Sequence, residues 1–327
     1  MPPHPPRRNR AQNKDFPMPR ITARELTYGI EIECGINADA PVRVGGYRHG
    51  TAVTRLPSFN GLRWKAERDG SVHVDGKKTA EFISPILKGA EGLDNIRAAC
   101  AQIKAWGGET NRTCGLHIHI AFPSTHIADM RRLTQLVGRF EEALYVCTGT
   151  PDRRNSQYCR PIKTDAVKNM NWGGAYSKRC ISDMGRFNSR YHTLNWTNFL
   201  TNRFDAVEFR VFSGSLNPAK IAAWVQICLT LVEAALDETE ADWDISETSI
   251  ASEINRSCGS RGVALARYMC KYLWQWPIRK DKNYGELGHA HFTRKAAAKT
   301  LRDLAVRHDE RIGAREARRT ERLSIEG

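Results

Sequence analysis

The chain has 327 residues, of which 41% are hydrophobic, so it is long enough for one large domain or two ordinary ones with a sizeable core. There are 50 Lys and Arg residues against 36 Asp and Glu residues, and the resulting net charge of +14 favours anionic partners: nucleotides, nucleic acid, acidic polymers or membrane surfaces. Nine cysteines without regular spacing argue against a secreted disulfide framework.

Neither the N-terminal stretch nor the longest apolar run predicts a membrane protein. The N-terminal stretch "MPPHPPRRNR" is positively charged but has no apolar run, so it does not predict a signal peptide. The longest apolar run, "IAAWVQICLTLVEAAL", contains Gln226 and Glu233 and predicts a buried helix rather than a membrane span. We therefore expect a soluble protein of the reducing cytoplasm, without a membrane partner.

The composition divides the chain into three parts. Residues 1–24 are rich in Pro, Arg and Asn and predict a disordered basic leader. Residues 25–240 are well patterned and predict the main domain. Residues 241–327 predict a helical basic extension, with one helix in "SRGVALARYMCKYLWQW" and a longer one after residue 292.

Within the main domain, strand and helix patterns alternate along the chain. "LTYGIEIECGI" has the period of a strand, and "LRWKAERDGSVHVDGKKTAEFISPIL" predicts strand, Gly-rich turn and strand. A helix in "GLDNIRAACAQIKAW" ends before Gly107, and the strand "TCGLHIHIAF" and a second helix follow. Residues 150–186 predict a loop. The strands "YHTLNWTNF" and "AVEFRVF" come next, and then a helix that Asn217 caps. These elements predict an α+β fold with a largely antiparallel sheet and helices on one face.

Four of the predicted strands place polar side chains on a single face. Side chains alternate across a strand, so residues two apart share a face and the apolar residues between them point the other way. If the strands are neighbours in one sheet, the polar face carries Glu31, Glu33, Glu81, His117, His119, Glu208 and Arg210.

The composition of this face favours chemistry over simple solvation. Carboxylates on neighbouring strands repel one another unless a cation lies between them, and carboxylate oxygens suit Mg²⁺ or Mn²⁺. An arginine at the same place suits a phosphate, which it can bind through two hydrogen bonds. Together these groups are the parts that phosphoryl transfer from ATP requires.

These motifs also resemble a known family. "YGIEIE", "ERDGSV", "AEFISPIL", "GLHIHIAF" and "VEFRVFSGSLNPAKIAAW" occur in the order found in the amidoligase family of the carboxylate–amine ligase superfamily, which includes glutamine synthetase. The resemblance covers roughly residues 25–236. It implies a glutamine synthetase-like catalytic fold whose antiparallel strands form a funnel-like active site.

The resemblance also implies roles for individual residues. It implies that Arg210 holds the transferring phosphate and, with Glu33, belongs to the catalytic groups. The implied contacts to ATP are made by His117, His119, Arg190, Asn195 and Arg210. The implied ligands of Mg²⁺ or Mn²⁺ are Glu31, Glu33, Glu81, His117 and Glu208. Asp69, in the "RDGS" turn, has no assigned role.

The reaction that the resemblance implies has two steps. A substrate carboxylate attacks the γ-phosphate of ATP and becomes an acyl phosphate, and an amine then displaces phosphate to give an amide or isopeptide bond. The carboxylate and the amine are unknown: each belongs to a small molecule, a peptide or a protein side chain. On the same fold, a guanidino kinase would instead leave the phosphate on its acceptor.

Two further alternatives remain open on the sequence. Cys114, His117 and His119 form C-x-x-H-x-H, which suits zinc. The net charge and a loop with Trp172 and Arg179 also allow a nucleic-acid-binding protein without catalysis. The basic termini could hold an acidic or nucleic-acid partner alongside catalysis. The second H-x-H pair, His289 and His291, has no strand pattern and predicts a surface loop.

Overall fold

The computed structural model describes residues 25–46, 50–56, 61–124, 127–162, 190–201, 203, 205–236, 261–278 and 294–326. The predicted basic leader lies outside the described residues. So do His289, His291, Trp172 and Arg179, and residues 163–186 of the predicted loop.

One sheet of eight strands is the frame of the molecule. The strands are β1 (Thr27–Ile36), β2 (Thr51–Ala52), β3 (Lys65–Glu67), β4 (Lys78–Ile83), β5 (Leu87–Lys88), β6 (Gly115–Ala121), β7 (Leu194–Asn195) and β8 (Ala206–Ser213). Their order is β2-β3-β4-β1-β6-β8-β7, with β5 also paired to β1. Every pairing between these strands is antiparallel, as the alternating strand patterns predicted.

Helices cover one face of the sheet in two layers. They are α1 (Gly89–Ala105), α2 (Ile127–Val146), α3 (Thr197–Leu200), α4 (Pro218–Leu236), α5 (Arg261–Ile278) and α6 (Arg294–Glu326), with a 3₁₀ turn at Arg153–Asn155. Helices α1, α2 and α4 contact the sheet, and α5 and α6 pack on α2 and α4. The predicted α+β class, with helices outside an antiparallel sheet, is confirmed.

The apolar face of the sheet follows from strand alternation. In β1, Ile30, Ile32 and Cys34 are fully buried, and they lie against the buried Leu116 and Ile118 of β6. Since these residues alternate with the charged ones, the same strands that build the core present the acidic residues on the opposite face.

Three buried tryptophans join the sheet and helices without leaving an unsatisfied indole. Trp64 donates to Asn95 Oδ1 (2.7 Å), Trp196 to Thr134 Oγ1 (3.1 Å), and Trp224 to the carbonyl of Cys147 (2.9 Å). Each indole thus buries its apolar rings and keeps its N–H paired, which removes the usual cost of a buried donor.

The helix ends show the expected chemistry. Asn217 Oδ1 accepts hydrogen bonds from the backbone N–H groups of Ala219 and Lys220, so it caps α4 as predicted. Gly107, just beyond α1, has a φ of 71°, a left-handed conformation that favours glycine. Helix α4 is long and apolar enough to cross a membrane, but it is mostly buried among the other elements, as a core helix is.

All seven cysteines among the described residues have free thiols, and six of them are buried.

Candidate active site

Strand register brings the charged residues of four strands together on the face of the sheet opposite the helices. Glu31 of β1 lies directly opposite His117 of β6, and Glu33 lies opposite Glu81 of β4. His119 lies opposite Glu208 of β8. Residues opposite each other in an antiparallel pair have Cβ atoms roughly 4.5–5.5 Å apart, so their side chains are within contact distance.

His117 lies at the centre of this cluster. Its Nδ1 is 2.9 Å from Glu31 Oε2 and 3.6 Å from Glu208 Oε1. Its Nε2 is 3.5 Å from Glu33 Oε1, and Glu81 Oε1 is 3.8 Å from Nδ1. With only 2% of its surface exposed, His117 touches carboxylates from three strands.

His119 shares the face of His117 but has a different set of neighbours. Its Nε2 lies 3.0 Å from Glu31 Oε1. Burial lowers the pKa of His119, but the facing carboxylates of Glu31 and Glu208 outweigh it and raise the pKa to about 9. In this acidic surrounding His119 carries a positive charge at neutral pH.

The carboxylates differ in how their charge is balanced. Burial raises the pKa of the Glu31 carboxyl, but His119 and His117 outweigh burial and hold it well below its usual value. Burial raises the pKa of Glu81 well above its usual value, and the charges of Glu31 and Glu33 raise it further. Burial is thus the larger cause of the raised pKa of Glu81, and the neighbouring carboxylates add to it.

The donor atoms suit a divalent cation. Two groups of ligand atoms lie mutually within 4.8 Å: Glu31, His117 and Glu208 form one, and Glu33, Glu81 and His117 form the other. Carboxylate oxygens with one imidazole are a donor set for Mg²⁺ or Mn²⁺.

Cys114 belongs to neither group. It is buried in a small cluster with Val72 and Val74, so the described residues do not assemble the C-x-x-H-x-H motif as a zinc site.

Arg210 supplies the cationic part of the site. Its Nη1 donates to Glu208 Oε1, and Asn195 Nδ2 donates to the other oxygen of the same carboxylate at 2.6 Å. Arg210 is 9% exposed. Burial lowers its pKa, but Glu208 outweighs burial and raises it, so the guanidinium remains charged. The Glu208 carboxylate therefore holds both Arg210 and Asn195, two residues that the family resemblance placed in the site.

A β-bulge in β8 sets where Arg210 lies. Leu116 pairs with Phe212, but Ile118 pairs with Phe209, so Arg210 and Val211 together face the single residue His117. In a regular strand Phe212 would share the face of Arg210. Instead Phe212 is fully buried and stacks on Trp224 of α4, with ring centroids 4.9 Å apart. The sequence pattern did not predict this change of phase.

Two residues of this site were missed from the sequence. Arg153 is buried, and its Nη2 donates to the carbonyl of Arg210 at 2.6 Å. The backbone N–H of Gly115 donates to Glu33 Oε2. Arg153 occurs in "PDRRN", a charged loop pattern that gives no signal of burial. Gly115 lies in the "GLHIHI" strand, whose pattern indicates roles for the two histidines and none for a backbone N–H.

Two further residues of the sequence motifs are Arg190 and Asp69. Arg190 is exposed, and its guanidinium lies 5.3 Å from the ring centroid of Tyr191. Asp69 Oδ1 accepts hydrogen bonds from the backbone N–H and hydroxyl of Ser71, both at 2.6 Å. Its charge is close enough to add to the raised pKa of Glu81.

A cavity of about 360 Å³ continues the site along the same face, past Glu31 and His119. Its walls are mainly small or apolar; they include Gly29, Ile83, Ile86, Ala121 and Ala206. The site thus has a charged centre and an apolar flank.

Comparison with known proteins agrees with the motif order. A family model described as a putative amidoligase enzyme matches residues 24–232. No curated protein matches the sequence at a significant level. Among solved structures, the chain is similar to the complex between prokaryotic ubiquitin-like protein Pup and its ligase PafA, with 14% identity and a TM-score of 0.37. That alignment covers 86% of this chain and 63% of the solved chain. The family match covers more than half of the sequence, and the chain therefore belongs to the amidoligase family.

Proposed function

We propose that the protein is an ATP-dependent ligase that joins a carboxylate to an amine through an acyl phosphate, with release of ADP and phosphate. The observation that carries this proposal is the convergence of Glu31, Glu33, Glu81, Glu208 and Arg210 around His117. Membership of the amidoligase family gives the reaction class. The product is an amide or isopeptide bond.

The acidic residues would hold the cations that accompany ATP. Glu33, Glu81 and His117 supply one group of ligands, and Glu31 and Glu208 supply a second with the same histidine. Mg²⁺ or Mn²⁺ bound there would neutralise charge on the phosphate oxygens. The backbone N–H of Gly115 orients the Glu33 carboxylate, and Asn195 orients that of Glu208.

Arg210 is the group that would act on the transferring phosphoryl. Its guanidinium is held by Glu208 and stays positively charged, so it can stabilise charge that develops on the phosphate oxygens in the transition state. His119, whose Nε2 lies 3.0 Å from Glu31 Oε1, adds an imidazole on the side of Glu31. We assign His119 to the phosphate contacts, His117 to the cations and Asn195 to the orientation of Glu208.

The apolar cavity beside Glu31 and His119 has the character of a site for a flat apolar group. We assign it to the base of ATP, because the charged groups that would hold the phosphates line one side of it. The carboxylate and the amine would then approach Arg210 from elsewhere on the sheet face.

The proposed division of the chain follows the same reasoning. Residues 25–240 form the catalytic domain, residues 1–24 a basic leader, and residues 241–327 a basic helical extension. The free thiols of the described cysteines favour the reducing cytoplasm as the location.

The test is ADP release with Mg²⁺ across a library of carboxylates and amines, using the full chain. Ligation predicts that ADP release requires both substrates and that free phosphate appears with the amide. Phosphate retained on a single acceptor would instead make the protein a guanidino-kinase-like phosphotransferase. Glu33→Ala and Arg210→Ala should abolish turnover, whereas the exposed Glu109→Gln should not. Full activity in both site variants would overturn the assignment of the site.

A further inference from the structure

Residue Arg153, which lies outside every family motif noted above, contacts the backbone of the proposed catalytic arginine. Its Nη2 donates to the carbonyl oxygen of Arg210 at 2.6 Å. The carbonyl belongs to the β-bulge, where Arg210 and Val211 together face His117. A bulge leaves backbone groups out of the regular ladder, so a side chain can take the place of the missing strand partner.

Other parts of Arg210 are held by neighbouring backbone carbonyls. The backbone N–H of Arg210 donates to the carbonyl of Thr193 at 2.8 Å, and its Nε donates to the carbonyl of Tyr158 at 3.3 Å. Tyr158 and Arg153 both belong to the short segment after α2. Arg210 is therefore fixed from one side by Glu208 and from the other by residues 153–158.

The position of Arg153 is unusual for a structural arginine. It is 6% exposed, and its Nε has no hydrogen-bond partner among the described residues. A buried guanidinium costs free energy unless its donors are used, so its retention here calls for a role. No carboxylate lies within ion-pairing distance of it in the part of the chain that the structure describes.

Gly115 makes room for this arrangement. A Cβ atom at position 115 would lie 2.8 Å from Arg153 Nη2 and 3.2 Å from Glu33 Oε2. A side chain at this position would push the guanidinium of Arg153 away from its place at the Arg210 carbonyl, and glycine leaves that place free. The motif glycine thus serves both the carboxylate and the arginine.

We infer that Arg153 is a positioning residue: it locks the β8 bulge and so sets the place of the Arg210 guanidinium against the transferring phosphoryl. The expected effect of Arg153 on activity rests on the proposed function, whereas its expected effect on the structure around Arg210 does not.

The structural readout is the Nε–Hε signal of Arg210 in ¹⁵N spectra of the full chain. We identify this signal by its loss in Arg210→Lys. In Arg153→Gln it should shift or broaden and exchange faster with water, because the bulge relaxes and Arg210 leaves the Tyr158 carbonyl. In Arg154→Gln, the adjacent and half-exposed control, it should be unchanged. An unchanged signal in folded Arg153→Gln overturns the inference whether or not the protein is a ligase.

The kinetic readout is a double-mutant cycle. Arg153→Gln should lower kcat by about 10- to 100-fold, because a misplacement of about 1 Å costs on that order, with KM for ATP changed less than about threefold. In the Arg210→Gln background the same substitution should cost less than about twofold, since its effect passes through Arg210. Additive losses would overturn the positioning role.

Arg153→Lys keeps the charge but loses the forked donor, and it serves where Arg153→Gln does not fold. It should show the same changes in kcat and in the Arg210 signal, each smaller. If the wild type turned over no substrate while the Arg210 signal responded as expected, the proposed function would fail and the positioning role would stand.

Discussion

Glu31 and His117 lie directly opposite each other on adjacent antiparallel strands, with Nδ1 of the histidine 2.9 Å from Oε2 of the glutamate. This pair joins the two groups of candidate metal ligands, because His117 belongs to both. A change at either residue should therefore be felt across the whole site.

Loss of one carboxylate should weaken cation binding independently of turnover. Glu81→Gln removes a ligand from the group with Glu33 and His117. We expect Mn²⁺ binding, measured by titration calorimetry or electron paramagnetic resonance, to weaken by at least about 10-fold, since even outer-shell partners of metal ligands contribute that much. Glu109→Gln, which removes the same charge from an exposed site, should bind Mn²⁺ as the wild type does. Equal binding by both variants would contradict the cation assignment.

Substitution of Arg210 should reduce kcat more than it changes substrate binding. Arg210→Gln removes the positive charge that Glu208 holds. We expect kcat to fall by about 10²–10³-fold, the loss typical of a single group that stabilises transition-state charge. Arg210→Lys should recover little of it, because an ammonium does not reproduce the planar fork. A variant that raised only the KM for ATP would show that Arg210 binds nucleotide without acting on the transferring group.

Filling the apolar cavity should weaken ATP binding and spare cation binding. Ala121→Leu places a larger side chain on the wall of the cavity, on the face that carries His119. We expect the dissociation constant for ATP to rise at least about 10-fold, as the base loses its space, while Mn²⁺ binding stays within about twofold of wild type. ATP affinity that did not change would place the base elsewhere.

The carboxyl of Glu141 should make stability depend on pH. Burial raises its pKa from 4.5 to about 7, while its Oε1 accepts a hydrogen bond from the N–H of Ile162 at 2.8 Å. Between these pH values the folded protein keeps a proton that the unfolded chain has lost. The free energy of unfolding therefore falls as pH rises from about 4.5 to 7, by about 3 kcal/mol.

Glu141→Gln cannot ionise and can still accept the hydrogen bond from Ile162. Urea unfolding at pH 5, 6, 7 and 8 should show a flatter dependence for this variant and a greater stability than wild type at pH 8. Glu142→Gln, at the half-exposed neighbour, should keep the wild-type dependence. The explanation is wrong if Glu141→Gln and the wild type lose stability in parallel.

The last helix should brace the segment that carries Arg153. Arg311 of α6 donates to the carbonyl of Gly149 at 2.7 Å, and Arg315 pairs with Asp152. Both arginines are exposed, so the double variant Arg311→Gln/Arg315→Gln should lose only about 0.5–1 kcal/mol of stability.

The same double variant should lower kcat by roughly two- to fivefold if the segment shifts Arg210, since 1 kcal/mol is about fivefold in rate. Arg318→Gln/Arg322→Gln removes the same charge from exposed positions further along α6 and should leave both quantities as in wild type. Equal effects of the two double variants would point to net charge instead of bracing.

The sequence determined which residues could share a face. Alternation in "GIEIE" and "GLHIHI" separates Glu31 and His117 from the apolar residues between them, because successive side chains of a strand point to opposite sides. The order of the motifs identified the family, and Asn217 and Gly107 marked helix ends through local backbone chemistry. The alternation and the helix-end signals act within a few residues of the chain, and the family signal needs only the order of the motifs along it.

Only the tertiary structure decided which strands are neighbours, and hence that His117 lies against carboxylates from β1, β4 and β8. It also decided the phase change after Arg210, because a bulge depends on what packs on each face, here Phe212 on Trp224. The burial of Arg153 arises in the same way. Its sequence is that of a charged loop, and it becomes part of the site only because that loop folds over the bulge and its guanidinium reaches the carbonyl of Arg210.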